Sequence, residues 1–240
     1  MGYLRCIWII INSNFVILVH FIYMILLSPL FYFGGKNGKN WYYKIEETFY
    51  EWILYILDFT ISSLDFKIVE SGDNLKYCIQ EDQNILFMPN HQSVADVLIC
   101  ITVLLMYPGY ARKIMWVIGK NERFSNYGLM SWLHDDCFLD TRKTNPRKSL
   151  EDLTKHLKQI FQRRDRKCII LFPEGGFLSK KKSSSSLYAM KNKLPMLCHV
   201  AYPKIGALQT ILDTLYNDVT EKENMSTSVL KANVHEVCIY

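Results

Sequence analysis

Ile85-Leu86-Phe87-Met88-Pro89-Asn90-His91-Gln92-Ser93-Val94-Ala95-Asp96 holds a strand, a turn and a helix start in twelve residues. The apolar run is short and ends at a proline, as a buried strand does. Pro89 and Asn90 break it, and Ser93 is a good cap for a helix over Val94 to Met106. The same design recurs at Cys168-Ile169-Ile170-Leu171-Phe172-Pro173-Glu174-Gly175-Gly176-Phe177, where four apolar residues run into a proline and a glycine turn. Two buried strands that each end in a turn of polar and glycine residues indicate an α/β fold.

Working outward, Leu64, Phe66 and Ile68 alternate as in a half-buried strand, and Ile114 to Ile118 and Cys137 to Leu139 read as further strands. Leu150, Leu153, Leu157, Ile160 and Phe161 share one face of a helix, and Met196 to Ala201 reads as one more strand. Strands alternating with helices predict a mostly parallel sheet flanked by helices.

The N-terminal part differs. Ile7 to Phe33 is almost uncharged and long enough to cross a bilayer, which takes about 20 apolar residues. Asn12, Ser13, Asn14 and His20 weaken its first part, so Phe15 to Phe33 is the better span. A cleaved signal peptide is the competing reading, since Arg5 precedes an apolar stretch. The length of that stretch and the absence of an A-x-A cleavage site favour an anchor. Lys36, Lys39 and Lys44 follow it, against Arg5 alone before it, which puts the rest of the chain on the cytosolic side. Trp41, Ile45, Phe49, Trp52, Tyr55, Ile56 and Phe59 recur at steps of three and four. This amphipathic helix either packs on the core or lies in the membrane interface, and it can do both. The expected organisation is a membrane anchor over 1–40, an interface helix over 41–62, the α/β domain over 63–215 and an irregular tail over 216–240.

Composition excludes several classes. Net charge is only +5 and no zinc-finger or RNA-binding signature is present, so nucleic acid is not an expected partner. Half the residues are hydrophobic, which argues against disorder. The seven Cys form no C-x-x-C pair and several sit in apolar runs, as buried thiols of a reducing compartment do. The six His form no H-E-x-x-H, and no metal is expected. A serine hydrolase would need a G-x-S-x-G elbow, and none is present.

The chemistry concentrates in the two turns. A helix starting between His91 and Asp96 can fold the carboxylate back onto one ring nitrogen, fixing the tautomer and stabilising the imidazolium. The other nitrogen can then take a proton from an alcohol. By itself this spacing is equally that of a capped turn with a satisfied histidine. The second turn offers two glycines followed by Lys180, Lys181 and Lys182, a pattern that suits a phosphate and equally a solvated charge run.

Together the two segments resemble the glycerolipid acyltransferase family. Asn90 to Asp96 fits the H-x-x-x-x-D core of its first motif. Phe172 to Gly175 match its F-P-E-G-T-R-like motif, with Gly176 and Phe177 in place of Thr and Arg. The gap of roughly eighty residues also fits. The G-x-x-x-F-x-x-R-like motif is poorly kept, with Phe124, Gly128 and Arg142 as nearest candidates. Arg164 to Lys167, the F-P-E-G-G-F-L form, the lysine run, Lys193-Leu194-Pro195 and His134 to Leu139 look like the lysophosphatidylglycerol acyltransferase branch.

The resemblance implies a glycerol-3-phosphate acyltransferase-like fold at the endoplasmic reticulum membrane. Acyl-CoA would be co-substrate, with no cofactor, and a lysophospholipid would be acceptor. It makes His91 the base and Asp96 its orienting partner. Asn90, Ser93, Phe124, Arg142, Pro173, Glu174, Gly175, Gly176 and Lys180 become candidate substrate-binding residues. Glu174 and Gly175 are expected to help hold the phosphate side of the acceptor, Glu174 through a bridging cationic side chain. Arg142, Lys143, Arg147 and Lys148 would meet either coenzyme A phosphates or anionic lipid. Members of the branch run on further, so a truncated or inactive acyltransferase-like membrane protein is the alternative expectation. The sequence leaves head group, acyl chain and oligomeric state open.

Overall fold

Alternation of side chains along three strands builds the core. In the computed structural model, Ile114 and Trp116 of β3 (Ile114–Gly119) enter one apolar layer while Met115 and Val117 enter the other. Cys168 and Ile170 of β5 (Cys168–Leu171) join the first layer, and Ile169 and Leu171 the second. A strand buried on both faces must be covered by helices on both, which is why its residues are apolar without alternation. The model describes residues 2–62, 68–71, 84–107, 109–140, 145–223 and 237–239.

The sheet has four parallel strands in the order β2-β5-β3-β4, with β2 at Ile85–Phe87 and β4 at Cys137–Leu139. Register pairs Ile85 with Cys168 and Ile114 with Cys168, so the strands begin level. One face carries α2 (Gly35–Ser62) and α3 (Ala95–Leu105). The other carries α5 (Pro146–His156), continued by a π turn at Leu157–Phe161, and α7 (Ile205–Glu223). Two helices lie elsewhere, α4 (Asn126–Leu133) before β4 and α6 (Leu178–Lys191) after β5. β1 (Ile68–Glu70) pairs antiparallel with β6 (Val237–Ile239) apart from this sheet.

α1 (Gly2–Phe33) contains one stretch, Ile10–Phe33, long and apolar enough to cross a membrane, with mean hydropathy 2.2. It runs back along α2, where Phe31 meets Tyr42 and Tyr43, and Tyr23 meets Phe49. Gly35, at φ +60°, turns the chain between them, a conformation glycine adopts without penalty. Polar residues of α1 meet the rest of the chain: Ser13 and His20 are buried, and Asn14 accepts a hydrogen bond from Asn126 of α4.

Three expectations need correction. Met196 to Ala201 is not a strand. At its end the chain bonds to side chains instead of a strand, Ala201 N–H to Glu174 and the following Tyr202 N–H to Ser185 Oγ at 2.9 Å. The tail is not irregular from 216, because α7 continues to Glu223 and Val237–Ile239 is a strand. The amphipathic helix begins at Gly35, earlier than expected. Leu64 and Phe66 lie outside the described residues, as do Cys78, Arg142 and Lys143.

Candidate active site

His91 and Asp96 meet where the sequence places them. β2 ends at Phe87, His91 follows in the turn, and Asp96 is the second residue of α3. Asp96 Oδ2 lies 3.1 Å from His91 Nδ1 and also accepts the N–H groups of Gln92 at 2.6 Å and Ser93 at 2.8 Å. The carboxylate therefore caps its own helix from within. It satisfies amides that would otherwise be orphaned at the N-terminus, where negative charge is favoured. Ser93 caps the helix as expected: Val94 already has helical angles, φ −65° and ψ −25°, and Ser93 Oγ accepts the Ala95 N–H at 3.1 Å. With Nδ1 committed to Asp96, Nε2 is the nitrogen that can face a hydroxyl.

The second turn holds the first in place. His91 N–H donates to Glu174 Oε1 at 3.1 Å, and Leu178 N–H donates to the His91 carbonyl at 2.8 Å. The imidazole lies between two aromatic rings, Phe172 at 4.0 Å and Phe177 at 4.4 Å between centroids. Glu174 is only 4% exposed, and its Oε2 accepts Ala201 N–H at 3.2 Å. Each of its oxygens is engaged by one backbone amide, so Glu174 braces the His91 backbone against the segment at Ala201. The brace spans strands β2 and β5, which are neighbours in the sheet.

Gly175 and Gly176 sit at φ +70° and +143°. Both values strain any other L-residue. Lysine side chains cover the pair: a methyl group on Gly175 would lie 3.3 Å from Lys204 Nζ, and one on Gly176 would lie 3.0 Å from Lys181 Cε. Lys204 N–H also donates to the Pro173 carbonyl at 2.8 Å. Lys180 instead sits over the Phe177 ring, 5.4 Å from its centroid. Lys204 was not among the expected site residues. Its signal was only a Pro-Lys-Ile-Gly run far along the chain, with nothing to say that it folds back onto the glycines.

Other expected residues scatter. Asn90 lines a small cavity of about 50 Å³ with Phe87, Asp96, Ile99, Cys100 and Val103. Phe124 is 90% exposed after β3, with no described contact to His91 or Glu174. Arg147 and Lys148 begin α5, beyond β4 at the opposite edge of the sheet from β2, and Arg147 pairs with Glu151 at 3.2 Å. They border an open depression of about 690 Å³ that is larger than the cavity at Asp96 but shares no residue with the turns at His91 and Glu174. A wide concavity lined by charged side chains is a solvated helix face, and size alone does not make it the site.

A second histidine–carboxylate pair lies at the other end of the sheet. His134 Nδ1 is 2.8 Å from Glu46 Oε1, and its Nε2 faces Arg166. Arg164 pairs with the other Glu46 oxygen. All four groups are buried. Burial, with Arg166 beside it, lowers the His134 pKa to about 3. The ring is therefore neutral, with Nδ1–H donating to Glu46 and Nε2 accepting from Arg166. Burial opposes ionisation of Glu46, but the facing partners, of which Arg164 carries full charge, hold its pKa at about 2. Tyr50 of α2 stacks on the His134 ring at 3.4 Å, and Trp116 Nε1–H donates to Tyr50 Oη at 3.0 Å. Burial pushes neighbouring Asp136 up to about 7 while it accepts Trp116 N–H.

Residues 71–213 match the family described as Acyltransferase. Over 223 residues the chain is 33% identical to mouse acyl-CoA:lysophosphatidylglycerol acyltransferase 1 and 31% identical to the human protein of that name. The match takes in 93% of this chain and 58% of each relative, so the chain spans under two thirds of their length. No solved structure matches it.

Proposed function

The chain belongs to the acyltransferase family, and we propose that it transfers a fatty acyl group from acyl-CoA to a free glycerol hydroxyl of a lysophospholipid. Lysophosphatidylglycerol or a near relative is the acceptor, which accords with the names of the mouse and human relatives. The observation that carries the reading is His91, oriented by Asp96 on one nitrogen and pinned by Glu174 and Leu178 through its backbone.

In the reaction, His91 Nε2 takes the proton of the glycerol hydroxyl as its oxygen bonds to the thioester carbonyl carbon. The carbon–sulfur bond breaks, the coenzyme A thiolate leaves, and the proton passes from His91 to that sulfur. Charge that develops on the imidazole is balanced by Asp96 and met by the faces of Phe172 and Phe177. General-base help of this kind is worth roughly 10²–10⁴-fold. No acyl-enzyme and no cofactor beyond the co-substrate are needed.

Attachment is through Ile10–Phe33 to the endoplasmic reticulum membrane, with the α/β domain on the cytosolic side. Lys36, Lys39 and Lys44 after that stretch and the free thiols of Cys100, Cys137, Cys168 and Cys198 support this orientation. The test is direct. Membranes carrying the chain are incubated with labelled acyl-CoA and a panel of lysophospholipids, and the labelled products are identified. Thiol release with a labelled diacyl phospholipid is expected. Its absence for every acceptor would leave an acyltransferase-like fold without transfer activity.

A further inference from the structure

From Gly175 to Leu212 the chain has six lysines and no Asp or Glu. Over the same stretch, large apolar side chains stand in the open: Leu187 is 67% exposed, Tyr188 52%, Met190 68%, Leu194 40% and Met196 55%. Lys180, Lys182, Lys191 and Lys193 are exposed around them, and no ion pair among the described residues involves these four. A cluster of this kind is unusual on a protein surface that meets only water.

The cluster is held in a fixed shape. α6 ends in a Schellman arrangement: Leu194 N–H donates to the Ala189 carbonyl at 2.9 Å and Lys193 N–H to the Met190 carbonyl at 3.3 Å. The left-handed position of that motif, which glycine fills most cheaply, is Lys193 at φ +55°. Tyr202 fastens the following segment, its hydroxyl donating to the Pro195 carbonyl at 2.7 Å and its ring lying 5.5 Å from Tyr188. A strained lysine therefore sits at the tip of a rigid, apolar, wholly basic projection. The projection starts at the catalytic turn, because α6 follows Phe177 directly and Leu178 bonds His91.

We propose that the end of α6 and the segment to Met196 form a second membrane contact, selective for an anionic bilayer surface. It is separate from α1, and it seats the catalytic turns at the lipid interface. Leu187, Tyr188, Met190, Leu194 and Met196 enter the headgroup boundary while Lys180, Lys182, Lys191 and Lys193 meet lipid phosphates. The inference rests on the membrane attachment proposed above. Charge of one sign selects the occupant: a zwitterionic surface would need no such excess, and the neighbouring apolar side chains suit lipid.

The full chain is reconstituted into phosphatidylcholine vesicles with and without phosphatidylglycerol. Each set carries a trace of photoactivatable lipid, and adducts are mapped to peptides. Adducts are expected on α1 in both vesicle types. On 187–196 they are expected in the anionic vesicles, falling severalfold at high salt. In Lys191→Gln/Lys193→Asn, where asparagine tolerates the left-handed position, they should fall at least about fivefold with an unchanged melting curve. Labelled α1 with unlabelled 187–196 in anionic vesicles would overturn the inference. So would equal labelling of 187–196 with and without phosphatidylglycerol. Absence of adducts from α1 as well would sink the membrane reading itself, and this inference with it.

Discussion

Two histidines of this chain each face a carboxylate at hydrogen-bond distance, His91 with Asp96 and His134 with Glu46, at opposite ends of one parallel sheet. His91 follows β2, at the carboxyl edge, where open α/β sheets bind their ligands. His134 precedes β4 and is wholly buried, with Arg166 on its second nitrogen. The difference teaches that an imidazole–carboxylate pair is not a catalytic signature in itself. What separates them is the second nitrogen: among the described residues none bonds it at His91, while at His134 it faces a fixed cation and the Ile114 carbonyl.

The sharpest way to break this contrast is to remove each ring. His91→Ala should lower transfer by roughly 10²–10⁴-fold or more and leave the melting curve in place. Thiol release per folded molecule measures it, and activity within a few-fold of the parent would end the assignment. His134→Ala should do the reverse. It leaves buried Glu46 and Arg166 each short of one hydrogen-bond partner, and an unsatisfied buried group typically costs about 1–3 kcal/mol, more where it is charged. A denaturant titration reads that cost, while turnover per folded molecule should hold.

The pH dependence sharpens the same contrast. His134 is held neutral, with its folded pKa near 3 against 6.5 unfolded, so its contribution is complete above 6.5 and fades as pH falls toward 3. Glu46, near 2 against 4.5, loses its contribution as pH falls from 4.5. Asp136 runs the other way: raised to about 7, it stabilises most below 3.8 and ceases to do so as pH climbs through 7. Between pH 6.5 and 4.5 the loss at His134 and the gain at Asp136 oppose each other, so thermal melts should change little there and fall below 4.5, where Glu46 adds to the loss. A parallel series with His134→Ala should instead rise as pH falls from 6.5 to 4.5. Equal slopes would remove His134 from the account.

Glu174 joins the two kinds of role. Glu174→Ala would leave the amides of His91 and Ala201 unpaired, at a cost of about 1–3 kcal/mol each if they stay buried. Because it positions the base, kcat should fall while KM for the lysophospholipid changes little. A variant with raised KM and unaltered kcat would return Glu174 to the acceptor's phosphate. The smallest effect is expected at Gly175→Ala. The backbone there, at φ +70°, costs a non-glycine residue about 1–2 kcal/mol, visible as a lower melting temperature.

Much of the sheet was legible because its strands are apolar runs punctuated by proline and glycine, and local sequence settles such elements. His91 and Asp96 were legible for the same reason, being five residues apart across one helix start. The bonds of Glu174 to His91 and Ala201 were not legible, since its partners are main-chain amides that no residue type advertises. Met196 to Ala201 reads as a strand by composition, yet its last amide, at Ala201, goes to the Glu174 side chain. The cluster of Glu46, His134, Arg164 and Arg166 was invisible as a unit. Its members come from three separate stretches of chain, and charged residues in sequence read as surface.

The clamp on His91 also sets when the site is complete. His91 is bonded through Glu174 to Ala201, 110 positions later by subtraction of their numbers. At a synthesis rate of 5–20 residues per second, the histidine leaves the ribosome roughly 5–20 s before the amide that completes its brace. Parallel pairing of β2 with β5 must be reached across that same interval, and such long-range contacts form late. His91 and Asp96 would thus meet early, across one helix start, while the brace on the His91 backbone would be complete only when synthesis had passed Ala201.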